Sequence, residues 1–290
     1  MTNTLPATLP APPSAAQQAH LVNILRRTAR AEILPRFRNL NAAEISTKSR
    51  PDDLVTQADL AAEAMITRAL RIAFPQAVVI GEEAVSADPS LLDQIAKAPL
   101  AFIIDPIDGT WNYSKGLATF GVILAATQFG KPVFGLILDP VLDDWLIADA
   151  ASLPRLCRAE GSSRPVRVAM GKAVENLSGY IPLQLFAPDR RAALAATFPG
   201  FARITSLRCS AQEYRMVAQG HTDFLLTHSL NPWDHAAGAL ICARAGGHVE
   251  MLDGGPYTAA RHEGHLLVAP DKPTWNRLRK IFGFLVDGRD

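Results

Sequence analysis

The stretch that most constrains the fold is Leu100-Ala101-Phe102-Ile103-Ile104 running into Asp105-Pro106-Ile107-Asp108-Gly109-Thr110. An apolar run that ends in turn formers reads as a buried strand inside a sheet. Pro106 biases Asp105 toward an extended backbone and removes one donor, so the ladder is expected to stop there. Gly109 permits a sharp turn whose N–H groups can face an anion. Two carboxylates at a strand end beside such a turn suit Mg²⁺, which takes oxygen ligands and often shares substrate phosphates. The same residues also make an ordinary strand-ending turn, and alone they leave both readings open.

A phosphatase of the haloacid-dehalogenase type, with an aspartyl nucleophile, places two acids two residues apart ahead of Gly-Thr. Here Asp105 and Asp108 are three apart with Pro106 and Ile107 between them, which argues against a nucleophilic Asp.

The rest of the chain supplies the layers. Apolar residues at helical spacing (Leu21, Leu25, Ala29, Ile33, Phe37) predict an amphipathic helix over about 15–37, kinked near Pro35. A second helix is expected over about 57–74, and Val78–Ile80 is a short strand leading into Gly81-Glu82-Glu83. Residues 121–128 and 132–138 read as a hairpin, with a further strand at 145–148. Beyond Ala151, strand-like runs at 166–168, 224–226 and 266–268 alternate with helices near 189–198, 210–220, 234–245 and 272–282. Such alternation favours a layered α/β fold over a bundle or a sandwich. Residues 1–15 read as a disordered tail, 16–150 as a lobe carrying most of the acids, and 151–290 as a second lobe carrying Asp234, the two forming one compact unit.

Charge and cysteine content narrow the partners. A net charge of +1 gives no reason to expect a nucleic acid polymer or an anionic membrane surface. No apolar run approaches the length that spans a bilayer. The three cysteines, Cys157, Cys209 and Cys242, lack metal-ligand spacing and suggest reduced thiols in a cytoplasm. His262 and His265 flank Glu263-Gly264 without a zinc-binding pattern, and Asp143-Asp144 reads as a hairpin turn.

Acids stand at the ends of three separate elements: Glu82 and Glu83, then Asp105 and Asp108, then Asp234 in Pro232-Trp233-Asp234-His235. Singly, Asp234 is a helix N-terminal acid and Glu82 a loop acid. Together with Asp53-Leu54-Val55-Thr56-Gln57-Ala58-Asp59, Ala245-Gly246-Gly247 and Gly254-Gly255-Pro256-Tyr257, they make the chain resemble the inositol monophosphatase family, over roughly residues 20–285. That family consists of metal-dependent, lithium-sensitive phosphatases.

The resemblance implies a layered α-β-α-β-α sandwich and two or three Mg²⁺ per site. It implies that Glu82, Asp105 and the carbonyl of Ile107 hold one metal, and that Asp105, Asp108 and Asp234 hold a second. Gly109 and Thr110 N–H groups would bind phosphate. Glu82 and Thr110, the latter linked to Asp59, would activate the attacking water, and Lys48 would lie near the entrance. It also implies a small phosphorylated metabolite as substrate and a homodimer.

Substrate contacts depart from the pattern. Thr227 stands seven residues before Asp234, where inositol-specific members carry Glu. Arg208-Cys209-Ser210-Ala211 replaces a small-residue segment, and Trp111 follows Gly109-Thr110. Arg208 or Arg215 is a candidate reader of a second anionic group. The rivals are therefore a 3′-phosphoadenosine-type nucleotide, histidinol phosphate or a sugar bisphosphate as substrate, or a non-catalytic member that binds a phospholigand or a partner protein.

Overall fold

The structure is a computed structural model that describes residues 11–48 and 53–286. The first ten residues of the expected tail lie outside the described residues. Helix α1 (Ala15–Thr28) begins at a capping box in which Ser14 and Gln17 each bond the other's backbone N–H. It passes into a π-helical turn at Ala29–Ile33, so the break falls ahead of the kink expected at Pro35.

A short antiparallel hairpin, β1 (Ile45–Thr47) and β2 (Leu54–Thr56), precedes α2 (Gln57–Ala73). Then follow β3 (Val78–Gly81), α3 (Glu82–Ala87), β4 (Ala101–Asp108), α4 (Thr110–Ser114), β5 (Gly121–Gln128), β6 (Lys131–Asp139), β7 (Asp144–Asp149), β8 (Arg155–Arg158) and β9 (Ser163–Pro165). Strands β3 to β9 form a seven-stranded sheet in chain order. The β5–β6 turn is Phe129-Gly130, both residues at positive φ, the geometry that matches the twist of a two-residue hairpin.

The second half contains β10 (Ser178–Tyr180), α5 (Pro188–Ala196), β11 (Arg203–Thr205), α6 (Ser210–Ala218), β12 (Phe224–Thr227), α7 (Pro232–Arg244), β13 (His248–Met251), β14 (Leu266–Ala269) and α8 (Lys272–Phe282). Its five strands lie in the order β11-β10-β12-β14-β13. The strand expected at 166–168 does not form. The Val166 N–H still reaches back to the Pro154 carbonyl, but the chain then leaves the sheet and the Val168 N–H bonds the Ala245 carbonyl instead.

Side-chain alternation builds the layers. On one face of the large sheet, Phe102, Ile104, Val122, Leu124, Phe134 and Leu136 pack with Leu21, Leu25, Ile66 and Leu70 of α1 and α2. On the other face, Ile103, Ile123, Ala125, Ile137 and Leu146 pack with Tyr214, Val217, Ala237 and Ile241 of α6 and α7. These two helices are the middle layer, because Leu225, Leu266 and Val268 of the small sheet join the same cluster. The outer face of that sheet is closed by Leu194 of α5 and by Trp275, Leu278 and Phe282 of α8. The order is α-β-α-β-α.

Candidate metal centre and substrate pocket

Strands β3 and β4 are parallel neighbours with Gly81 beside Ile104, so their C-terminal ends coincide. Glu82 and Asp105, each the next residue, therefore leave the sheet at one place. Pairing of β4 with β5 does not stop at Asp105 as Pro106 suggested. It jumps from Asp105↔Ile123 to Asp108↔Gly121, leaving Pro106 and Ile107 opposite a single residue. This bulge absorbs the missing donor and turns the strand end.

Asp234, in the first turn of α7, approaches from the middle layer. Asp105, Asp108 and Asp234 each bring a carboxylate oxygen into a group whose members all lie within 4.8 Å of one another. Asp105 Oδ1 accepts from the Ile107 N–H at 3.1 Å. Asp108 Oδ2 accepts from the Cys209 thiol at 3.0 Å and from the Ala211 N–H. Asp234 Oδ2 accepts from Asn231 Nδ2 at 3.1 Å. Burial, reinforced by the neighbouring acids, pushes the Asp105 carboxyl well above its usual range and Asp108 up to about 8. Burial lifts Asp234 to about 6. Acids crowded like this cannot all ionise without a cation among them.

Glu82 is the first residue of α3 and turns toward Lys48, whose Nζ lies 2.7 Å from both Glu82 Oε1 and Glu83 Oε1. Burial lifts both glutamates to about 7 despite that ammonium. The Asp105 and Asp234 charges nonetheless act on Glu82 or are acted on by it, so it borders the three-acid group without joining it. Its position depends on Glu63, which no motif flagged. The Glu63 carboxylate accepts from the Glu83 and Ala84 N–H groups at 2.8 and 2.9 Å, capping a helix that lacks a side-chain N-cap. A Cβ on residue 81 would stand 2.2 Å from that carboxyl carbon, which explains the glycine before Glu82.

Asp59 is fully buried on α2. Its Oδ2 accepts from the Thr56 N–H at 2.8 Å and the Thr56 hydroxyl at 2.5 Å, while Oδ1 lies 3.3 Å from the Thr110 hydroxyl. That hydroxyl is also 3.0 Å from the Ile107 carbonyl, so its one proton has two acceptors. Burial raises Asp59 to about 7.

Gly109 precedes α4 at φ +87°, where an added Cβ would come 2.9 Å from the Thr119 carbonyl. Gly109→Ala is expected to cost about 2 kcal/mol of stability through this left-handed strain, read from denaturant midpoints.

A cavity of about 480 Å³ opens onto this centre. Glu82, Asp108, Gly109, Thr110, Ser210, Thr227 and Asp234 line its floor, and Arg208 and Trp111 line it too. Lys48 reaches it through Glu82. Arg215 does not: it is buried and paired with Asp144, tying α6 to the large sheet, so its role is structural. Cys209 is a buried thiol held above its usual range by burial, and it serves as a neutral donor to Asp108. Asp143 sits at the expected turn and is gripped by Arg26 and Arg30 of α1 and the turn after it. His265 stacks on His228 and Phe186, away from any metal-like group.

A family model described as the inositol monophosphatase family matches residues 17–280. The chain belongs to that family. A "Nus factor SuhB" of Pseudomonas aeruginosa is 30% identical over 247 residues, spanning 81% of this chain and 86% of the relative. A Thermotoga maritima protein named fructose-1,6-bisphosphatase/inositol-1-monophosphatase is 30% identical over 214 residues, or 72% and 76% of the two chains. Among solved structures, a Thermotoga maritima IMPase superposes with a TM-score of 0.76 at 24% identity, covering 94% of this chain and 98% of that one, and so shares the fold. Among the described residues no helix is long and apolar enough to cross a membrane.

Proposed function

We propose that the protein is a Mg²⁺-dependent phosphomonoesterase that hydrolyses a small phosphorylated metabolite. The observation that carries this is the convergence of three buried or half-buried carboxylates within 4.8 Å, two of which, Asp108 and Asp234, line the cavity. The donor set is all oxygen, with no imidazole or thiolate contributing, which fits Mg²⁺ rather than zinc. Asp105, Asp108, Asp234 and Glu82, with the Ile107 carbonyl, would hold two or three ions, Asp105 being shared. When bound, the ions supply charge relief on the phosphoryl oxygens and depress the pKa of water.

The chain's own groups do the rest. Gly109 and Thr110 offer backbone N–H groups to the phosphate oxygens. Thr56 fixes Asp59, and Asp59 in turn fixes the Thr110 hydroxyl, so a water bonded there is oriented before attack. Glu82, beside Lys48 on the cavity lining, would help to orient and activate that water. Inhibition by Li⁺, a homodimer in solution and a cytoplasmic location belong to the same reading.

A phosphate-release screen tests it, run over inositol phosphates, nucleotides, histidinol phosphate and sugar bisphosphates. Turnover on at least one ester is expected, abolished by EDTA and restored by excess Mg²⁺. No Mg²⁺-dependent turnover on any of them would reject the enzyme reading. The alternative is then a partner-binding role, favoured by the Pseudomonas relative's name. Retention of Glu82, Asp105, Asp108, Thr110 and Asp234 speaks against a decayed site.

A further inference from the structure

Trp111 and Arg208 stand together on the lining of the cavity that opens onto the acids. Arg208 adopts φ +54°, a conformation that a residue other than glycine holds at a cost, and it does so on the lining of the cavity. The buried Glu213 holds the turn there, accepting from the Leu207 N–H at 2.7 Å and the Ser206 hydroxyl at 3.0 Å. The Ser206 hydroxyl accepts in turn from the Arg208 N–H at 3.1 Å. The result is that the Arg208 guanidinium carbon lies 4.1 Å from the centre of the Trp111 ring. Trp111 follows the phosphate turn directly, so this column stands one residue from the reacting centre.

The same cavity is lined by Ile181, Leu183, Leu185, Phe198 and Ile204, with Gln184, Thr205 and Thr227 among them. A hydroxyl set against the aliphatic part of this lining would lose its partners, at a cost of about 1–3 kcal/mol per group. The faces of an aromatic ring need no hydrogen-bond partner and stack well on a guanidinium plane.

We propose that Trp111 and Arg208 form a stacking platform that selects phosphomonoesters whose alcohol carries an aromatic or heteroaromatic ring. This rests on the phosphatase reading and sharpens it to a substrate class.

The test compares esters matched in leaving group, benzyl phosphate and cyclohexylmethyl phosphate, together with inositol 1-phosphate, in the Mg²⁺-loaded protein. Wild-type kcat/KM is expected to favour benzyl over cyclohexylmethyl by about 5- to 10-fold, the size of one desolvated stacking contact. Trp111→Leu should bring that ratio near 1 by raising KM for the benzyl ester, and Trp111→Phe should recover most of it. Equal rates on the two matched esters, or a ratio unchanged in Trp111→Leu, overturn the platform while leaving the phosphatase reading intact. So does a preference for a sugar bisphosphate that Arg208→Gln removes, since Arg208 would then be reading a second phosphate. Should no ester turn over, calorimetric binding of benzylphosphonate against cyclohexylmethylphosphonate decides. Tighter binding of the aromatic compound, lost in Trp111→Leu, supports the platform, and equal binding overturns it.

Discussion

Asp105→Asn is expected to reduce Mg²⁺-dependent turnover by about 10³-fold or more while the protein still folds. Asp105 is the acid with neighbours on both sides: it feels the charges of Glu82, Asp108 and Asp234, and it lies at the strand end where the other two groups of acids converge. An amide keeps the shape and can still accept from the Ile107 N–H, so β4 and its bulge lose no contact. It removes the charge that would hold two cations, together with the charge relief those cations bring to the phosphoryl group. Two measurements separate the site from the fold. The metal-free variant should melt at or above the wild-type temperature, because one member of a repelling group is gone. Added Mg²⁺ should then raise its melting temperature much less than it raises that of the wild type. Wild-type turnover in the variant would show that Asp105 is not the shared ligand.

The parts of this centre that sequence exposed are those whose residue type and position argue together. Asp105 and Asp108 close an apolar run that can only be a buried strand, and Asp234 opens a helix whose Ala and Gly residues pack in the middle layer. What stayed hidden was support supplied from a distance. Glu63 lies in the body of α2 and looks like a surface helix acid, yet it caps α3 and so sets Glu82. Cys209 and the Ala211 N–H grip Asp108 from across the fold, about a hundred residues further on. The hairpin β1–β2, which Lys48 follows directly after its first strand, is three residues per strand, too short for a period-2 pattern to register. Strands β10 and β11 share that brevity, and β11 and the four-residue β13 are the edges of the small sheet, where burial leaves the weakest trace. The Pro106 rule failed for a different reason, since a bulge lets the ladder resume beyond a residue that cannot donate.

The metal-free protein is expected to melt at a lower temperature at pH 8 than at pH 6, and Mg²⁺ is expected to remove most of that difference. In the folded state Asp59, Glu82, Glu83 and Glu213 sit near 7 and Asp108 near 8. In the unfolded chain such groups lose their protons near pH 4. Between about 4.5 and 8 the folded state therefore holds more protons than the unfolded state, and stability must fall as pH rises through that window. A difference of a single bound proton across two pH units amounts to about 2.7 kcal/mol. That corresponds to about 5–10 °C for a chain of this size. Several acids contribute, but coupling among them makes one net proton the conservative expectation. A divalent cation replaces those protons as the source of positive charge, so the slope should flatten and the gain from Mg²⁺ should be larger at pH 8 than at pH 6. Scanning calorimetry in EDTA and in excess Mg²⁺ reads both effects. A metal-free protein that melts higher at pH 8 than at pH 6 would mean that these acids are already compensated by groups of the chain itself, and the case for a cation site would lose its electrostatic basis.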